Sequence, residues 1–192
     1  MSITSIRRVM ELTVILFIIL SITSMSEAVK RGGVEMPDTL NIDGRSLVLN
    51  GVGIREATAF KVKVYVMGLY LETKDNDPGS IIASTGSKRI LMTFSRNVGE
   101  GKLNNGWEDG FTKNFREHQS IRKEIDIFKS AMRSIKKGES IVIDILGSDT
   151  YVRINEEERA VINGEMFQRA LLSIWLGPYP PNEGLKEGIL GR

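Results

Sequence analysis

An arginine set behind two glycines is the first place where this sequence could do chemistry. Asn50-Gly51-Val52-Gly53-Ile54-Arg55 brackets one valine with glycines and ends on a guanidinium. Glycine lets another backbone or a ligand come close. A guanidinium held there offers a planar fork to a carboxylate or a phenolate. The same spacing fits a structural arginine beside a turn, paired with Glu56 or with a backbone carbonyl. Downstream, Tyr65 and Tyr70 place two phenol hydroxyls on one apolar strand; a core tyrosine with its hydroxyl satisfied is the competing reading of each. Trp107, Phe111 and Phe115 recur at helical spacing. That stripe fits core packing, and it is compatible with the wall of an apolar cleft.

Residue types exclude other chemistries. The 192 residues contain no cysteine and one histidine, His118. Thiol catalysis and Cys-ligated zinc are ruled out, a cluster of His ligands is impossible, and a Ser-His-Asp triad is disfavoured. Glu156, Glu157 and Glu158 read as a solvated hairpin tip. Asp75, Asn76 and Asp77 lack the spacing of an EF-hand. Lys and Arg number 26 against 24 Asp and Glu, a formal charge of +2. That balance argues against nucleic acid as a partner. No cofactor or metal is expected.

The elements that must position these side chains follow from periodicity. Thr39–Ile42 and Arg45–Asn50 read as strands around an Asp43-Gly44 hairpin turn. A glycine turn at 51–53 and a long strand from Phe60 to Leu71 come next. From Val64 onward both faces of that strand are apolar, so both should be covered. Asp77-Pro78 starts a short helix over Ser80–Ser84. Lys88–Ser95 reads as a central strand. Helices are expected over Val98–Arg116 and Ile121–Ile135. Three strands at hairpin spacing, Ser140–Leu146, Thr150–Asn155 and Arg159–Asn163, precede a helix over Glu165–Leu176 and a last short one ending near Leu190. Strands followed by helices packed on one side of an antiparallel sheet make an α+β arrangement.

The N-terminus reads as a leader. Arg7 and Arg8 precede the apolar run Leu12–Leu20, and Ser26-Glu27-Ala28 puts small residues where a signal peptidase reads. Cleavage is expected after Ala28, leaving residues 29–192 as one exported domain, with Val29–Gly33 as a polar tether. The competing reading is a retained anchor, but the run falls short of the roughly 20 residues that span a bilayer.

The stretch Leu49–Glu72, LNGVGIREATAFKVKVYVMGLYLE, resembles the chalcone isomerase-like superfamily. The Gly-Val-Gly-Ile-Arg segment, the Lys-Val-Lys-Val strand and its Gly68-Leu69-Tyr70-Leu71-Glu72 end carry the resemblance. It extends over Val34–Arg192 and is nearest to the exported bacterial branch, which implies a periplasmic location. The implied fold is an open-faced β-sandwich with a ligand cleft between helices and sheet. Arg55 falls where the family places a catalytic or ligand-pairing arginine. Tyr65 falls where plant isomerases place a ketone-polarising threonine, and the fatty-acid-binding branch pairs its arginine with a tyrosine on this strand. Where the isomerases place a tyrosine and an asparagine, this chain has Leu103 and Gly110. The resemblance therefore implies a non-catalytic binder of a small amphiphilic or fatty acid, held by Arg55, Tyr65 and Tyr70. The alternatives are an isomerase of the intramolecular lyase type using Arg55, or an envelope interaction module with a vestigial cleft. The protein partner stays open.

Overall fold

The computed structural model describes residues 28–57 and 60–192. The expected leader and its cleavage site fall almost wholly on residues 1–27, outside the described residues. Seven strands form one antiparallel sheet in chain order: β3 (Thr39–Ile42), β4 (Arg45–Ala57), β5 (Val62–Leu71), β6 (Lys88–Phe94), β7 (Ser140–Leu146), β8 (Asp149–Ile154) and β9 (Glu157–Asn163). As expected from its apolar faces, β6 is the middle strand.

Helices occupy the connections. α1 (Pro78–Ala83) starts with Pro78 and is capped by Asp77, whose carboxylate accepts the Ser80 N–H at 2.6 Å. α2 (Glu100–Asn114), a 3-10 turn (His118–Ile121) and α3 (Arg122–Ser130) link β6 to β7. The expected helix through Ile135 stops at Ser130, because Ile135 exchanges backbone hydrogen bonds with Val98. α4 (Glu165–Leu176) and α5 (Glu183–Ile189) close the chain. Among the described residues no helix is long and apolar enough to cross a membrane.

Alternation along β5 splits the interior in two. Tyr65, Met67, Leu69 and Leu71 join the large core under the helices. Val66 and Tyr70 face the other way, into a smaller core with Met36, Leu47, Leu49 and Val52. Residues Val29–Gly33 are not a tether. They belong to a hairpin, β1 (Ala28–Arg31) and β2 (Val34–Pro37), turned by Gly32 and Gly33 at φ +62° and +88°. This hairpin covers the second face: Met36 is fully buried there, and the Arg31 guanidinium donates to the Val52 carbonyl at 2.6 Å. Farther along that face, Asp144 is buried between Arg89, at 2.5 Å, and Arg153.

The glycine segment is not a turn either; 51–53 runs straight through β4. Asn50 is a one-residue bulge there, since Leu49 pairs with Tyr70 and Gly51 with Leu69. The bulge reverses the alternation. Gly51, Gly53 and Arg55 consequently turn toward the helices instead of following Leu47 and Leu49. Gly51 and Gly53 lie against α5 so closely that an added Cβ would meet the Gly188 or Leu185 carbonyl oxygen at 2.3 Å. The backbone that the glycines admit is this helix.

Candidate functional site

Arg55 and Tyr65 are direct cross-strand partners on β4 and β5. Partners opposite each other project to the same face, so the guanidinium and the phenol share the helix side of the sheet. Immediately beyond them Glu56 pairs with Lys63, which leaves Val64 as a second bulge. The backbone groups freed near it are taken by Asn182, at the start of α5. Its side-chain oxygen accepts the Glu56 N–H at 3.2 Å, and its amide nitrogen donates to the Ile54 carbonyl at 3.1 Å. The Arg55 guanidinium donates to the Glu56 carbonyl and reaches Asn182 Oδ1 at 3.5 Å. Arg55 thus does pair with a backbone carbonyl, and it is partly buried with no carboxylate partner among the described residues.

Tyr65 is buried, and its oxygen accepts the Trp175 indole N–H at 3.1 Å. The phenol O–H is left free to donate. Burial pushes the Tyr65 hydroxyl up to about 12, against the opposing pull of the Trp175 hydrogen bond and the Arg55 charge. At neutral pH it is a hydrogen-bond donor and not a base. A cation beside a neutral donor can receive a carboxylate. Proton transfer would need a group that titrates nearer neutrality.

Trp175 joins Tyr65 to a cluster of aromatic rings. Trp107 stands edge-on to Trp175 at 5.7 Å and to Phe128 at 5.1 Å, while Phe111 lies 5.8 Å from Phe167. All five are buried. The helical stripe is therefore core packing, with Phe115 partly buried at its end.

A model of the family described as chalcone isomerase-like matches residues 28–191. The chain belongs to that family. A search of the curated proteins finds no match. Among solved structures, a fatty-acid binding protein of Arabidopsis thaliana is similar with a TM-score of 0.68 and 14% identity, over 85% of this chain and 96% of that one. At that identity the likeness shows the fold alone. It is the expected one, an antiparallel sheet with helices packed on one face.

Against this family background, three placements separate the expected site residues. Gly110 has no room for the asparagine that the isomerases carry, because its Cβ would sit 2.8 Å from Ile174. Leu103 is buried and apolar. Tyr70 is not brought together with Arg55 and Tyr65. It lies five positions after Tyr65, an odd step, and the sheet separates them. Its hydroxyl is buried without a partner among the described residues and pushed up to about 12, chiefly by burial.

Two further features had no clear signal in the sequence. Asn182 and Trp175 reach the Arg55–Tyr65 pair from more than a hundred residues away, and only the docking of α4 and α5 reveals them. A cleft of about 160 Å³ lies elsewhere, lined by Lys88, Ser148, Gln168 and Arg169. Lys88 there donates to the Ser84 and Gly86 carbonyls, both at 2.7 Å. Burial pushes its ammonium down to about 8.

Proposed function

We propose that this chalcone isomerase-like protein is an exported, non-catalytic binder of a small amphiphilic acid such as a fatty acid. Arg55 meets the carboxylate and the Tyr65 O–H adds a hydrogen bond. The observation that carries this reading is the pairing of Arg55 with Tyr65 on one face, with no carboxylate side chain among the described residues bound to that arginine. A half-buried cation without an anionic partner favours a ligand that brings one. The lost polar positions at Leu103 and Gly110 argue against ketone polarisation. The fatty-acid binding role of the Arabidopsis neighbour agrees with the reading. Tyr70 has no part in it, and no cofactor or metal is invoked.

Calorimetric titration with decanoic acid and with its methyl ester tests the proposal. The acid is expected to bind and the ester to bind far more weakly. Equal affinity would turn Arg55 back into a structural residue. Saturable cyclisation of a chalcone, lost in Arg55→Ala, would restore the enzyme. Binding of neither ligand would favour an interaction module, a reading supported by the packing of Trp107, Trp175, Phe128 and Phe111 on one another.

A further inference from the structure

Trp107 holds an indole N–H that nothing among the described residues receives. The residue is 4% exposed and its Nε1 has no hydrogen-bond partner among the described residues. The neighbouring indole, Trp175, spends its own N–H on Tyr65. The orphan donor is thus one ring removed from the hydroxyl assigned to the ligand's head. Three residues earlier on α2, Asn104 Oδ1 is also buried and without a partner. Residues three apart on a helix are neighbours on its surface. Buried polar atoms are almost always paired, so two orphans three residues apart on one helix ask for partners.

We infer that Trp107 Nε1 and Asn104 Oδ1 form a second polar contact of the same site, and that its ligand is a hydroxylated amphiphilic acid. A hydroxyl is the smallest group that accepts and donates at once. It would accept from the indole and donate to the amide oxygen. A keto oxygen would meet only Trp107, and a plain alkyl chain would leave both orphans buried. A site built to hydrogen-bond a hydroxyl discriminates against the analogue that lacks it, because its own polar groups are then left unpaired. The inference rests on the reading of Arg55 and Tyr65 as the carboxylate end. The hydroxyl is placed along the ligand's chain, because Trp107 packs on Trp175 with 5.7 Å between ring centroids, and it is Trp175 that bonds the Tyr65 hydroxyl.

The test is calorimetric titration of the protein with decanoic acid and with the positional series of monohydroxydecanoic acids. One isomer is expected to bind roughly tenfold tighter than decanoic acid, the effect of satisfying buried polar groups. Trp107→Phe keeps an aromatic ring and removes the N–H, so the ratio of the two affinities should fall to about one. Asn104→Leu, at a partly exposed position, should reduce the same ratio and serves if the Trp107 variant does not fold. If decanoic acid binds and no hydroxy isomer exceeds it, the inference is overturned while the Arg55 reading stands. The same holds if the preference survives both substitutions. Trp107 then owes its place to ring packing alone, with Phe128 5.1 Å away and nearly perpendicular. If no acid of either kind binds, both readings fall together.

Discussion

Gly53 and Leu185 touch backbone to side of backbone: a Cβ on Gly53 would stand 2.3 Å from the Leu185 carbonyl oxygen and 2.7 Å from its side chain. The contact is reciprocal, since a Cβ on Gly188 would meet the Val52 carbonyl oxygen at 2.5 Å and the Gly53 Cα at 2.8 Å. Strand β4 and helix α5 are locked together by residues that lack side chains. The lock sets the position of Asn182, and through it the backbone beside Arg55.

The first prediction follows from that lock. Gly53→Ala and Gly188→Ala each force two backbones apart, and overpacking of this kind costs about 1–3 kcal/mol or more. For a protein of this size that lowers Tm by about 2–4 °C per kcal/mol. Gly106→Ala is the contrast. Gly106 lies inside α2 with open space where its Cβ would go. There alanine should stabilise by up to about 1 kcal/mol, through helix propensity. Thermal unfolding of the three variants checks the difference in sign.

A second prediction concerns the charge at the site. If Arg55 pairs with a buried ligand carboxylate, Arg55→Ala should weaken binding of decanoic acid by about 2–5 kcal/mol. Arg55→Lys should recover only part, because an ammonium lacks the bidentate fork. Tyr65→Phe removes a hydrogen bond to a charged group and should cost about 1.5–3 kcal/mol. It also leaves the Trp175 N–H without its acceptor, so its unfolding midpoint must be measured beside its affinity. An Arg55→Ala protein that binds the acid like wild type would remove Arg55 from the site.

Much of the fold was legible because single elements carried strong local signals. Asp43-Gly44 turns as its residue types require, with both residues at positive φ. The apolar faces of Lys88–Ser95 marked the middle strand, and the period of Glu165–Leu176 marked α4. The glycine segment was misleading. Its residues fit a turn as well as a strand pressed against a helix, and only the position of α5, over 130 residues later, decides between them. The Asn50 bulge was also hidden. Counting in twos from Leu49 puts Arg55 on the wrong face, whereas the bulge puts it opposite Tyr65. Asn50 is held in this role by distant bonds, donating to the Ile189 carbonyl and accepting the Asp75 N–H, both at 2.8 Å. The separation of Tyr65 from Tyr70, by contrast, was present in the odd step between them.

The third prediction is an acid limb of stability. Glu108 on α2 accepts from Arg122 and Lys129 of α3, each at 2.6 Å, and these hydrogen bonds hold its carboxyl down to about 2. The unfolded carboxyl sits at its ordinary value of 4.5. As pH falls from about 4.5 toward 2 the unfolded chain takes a proton that the folded chain refuses, so this contribution is lost across that window. Urea unfolding of Glu108→Gln should show lower stability than wild type at pH 7 and a shallower acid slope. The site is a third exposed, so the difference should shrink in 1 M salt.

The fourth prediction is an alkaline profile with a maximum. Lys88 is buried, and desolvation brings its ammonium down from 10.5 to about 8, with Glu72 pulling the other way. Between those values the unfolded chain holds a proton that the folded chain has released. Stability from this group therefore increases as pH rises from about 8 to 10.5, and is absent below. Tyr65 and Tyr70 act in the opposite sense. Burial raises both hydroxyls from 10.0 to about 12. Above pH 10 the unfolded phenols ionise first, and stability falls until the folded pair ionises as well. The sum is a rise beyond pH 8 that turns over near pH 10. Urea unfolding from pH 7 to 12 measures it. Lys88→Met should abolish the rise and leave the fall; Tyr65→Phe should leave the rise and reduce the fall. A profile that declines steadily from pH 8, the same in wild type and Lys88→Met, would mean that the Lys88 ammonium stays charged inside the fold, held by the Ser84 and Gly86 carbonyls.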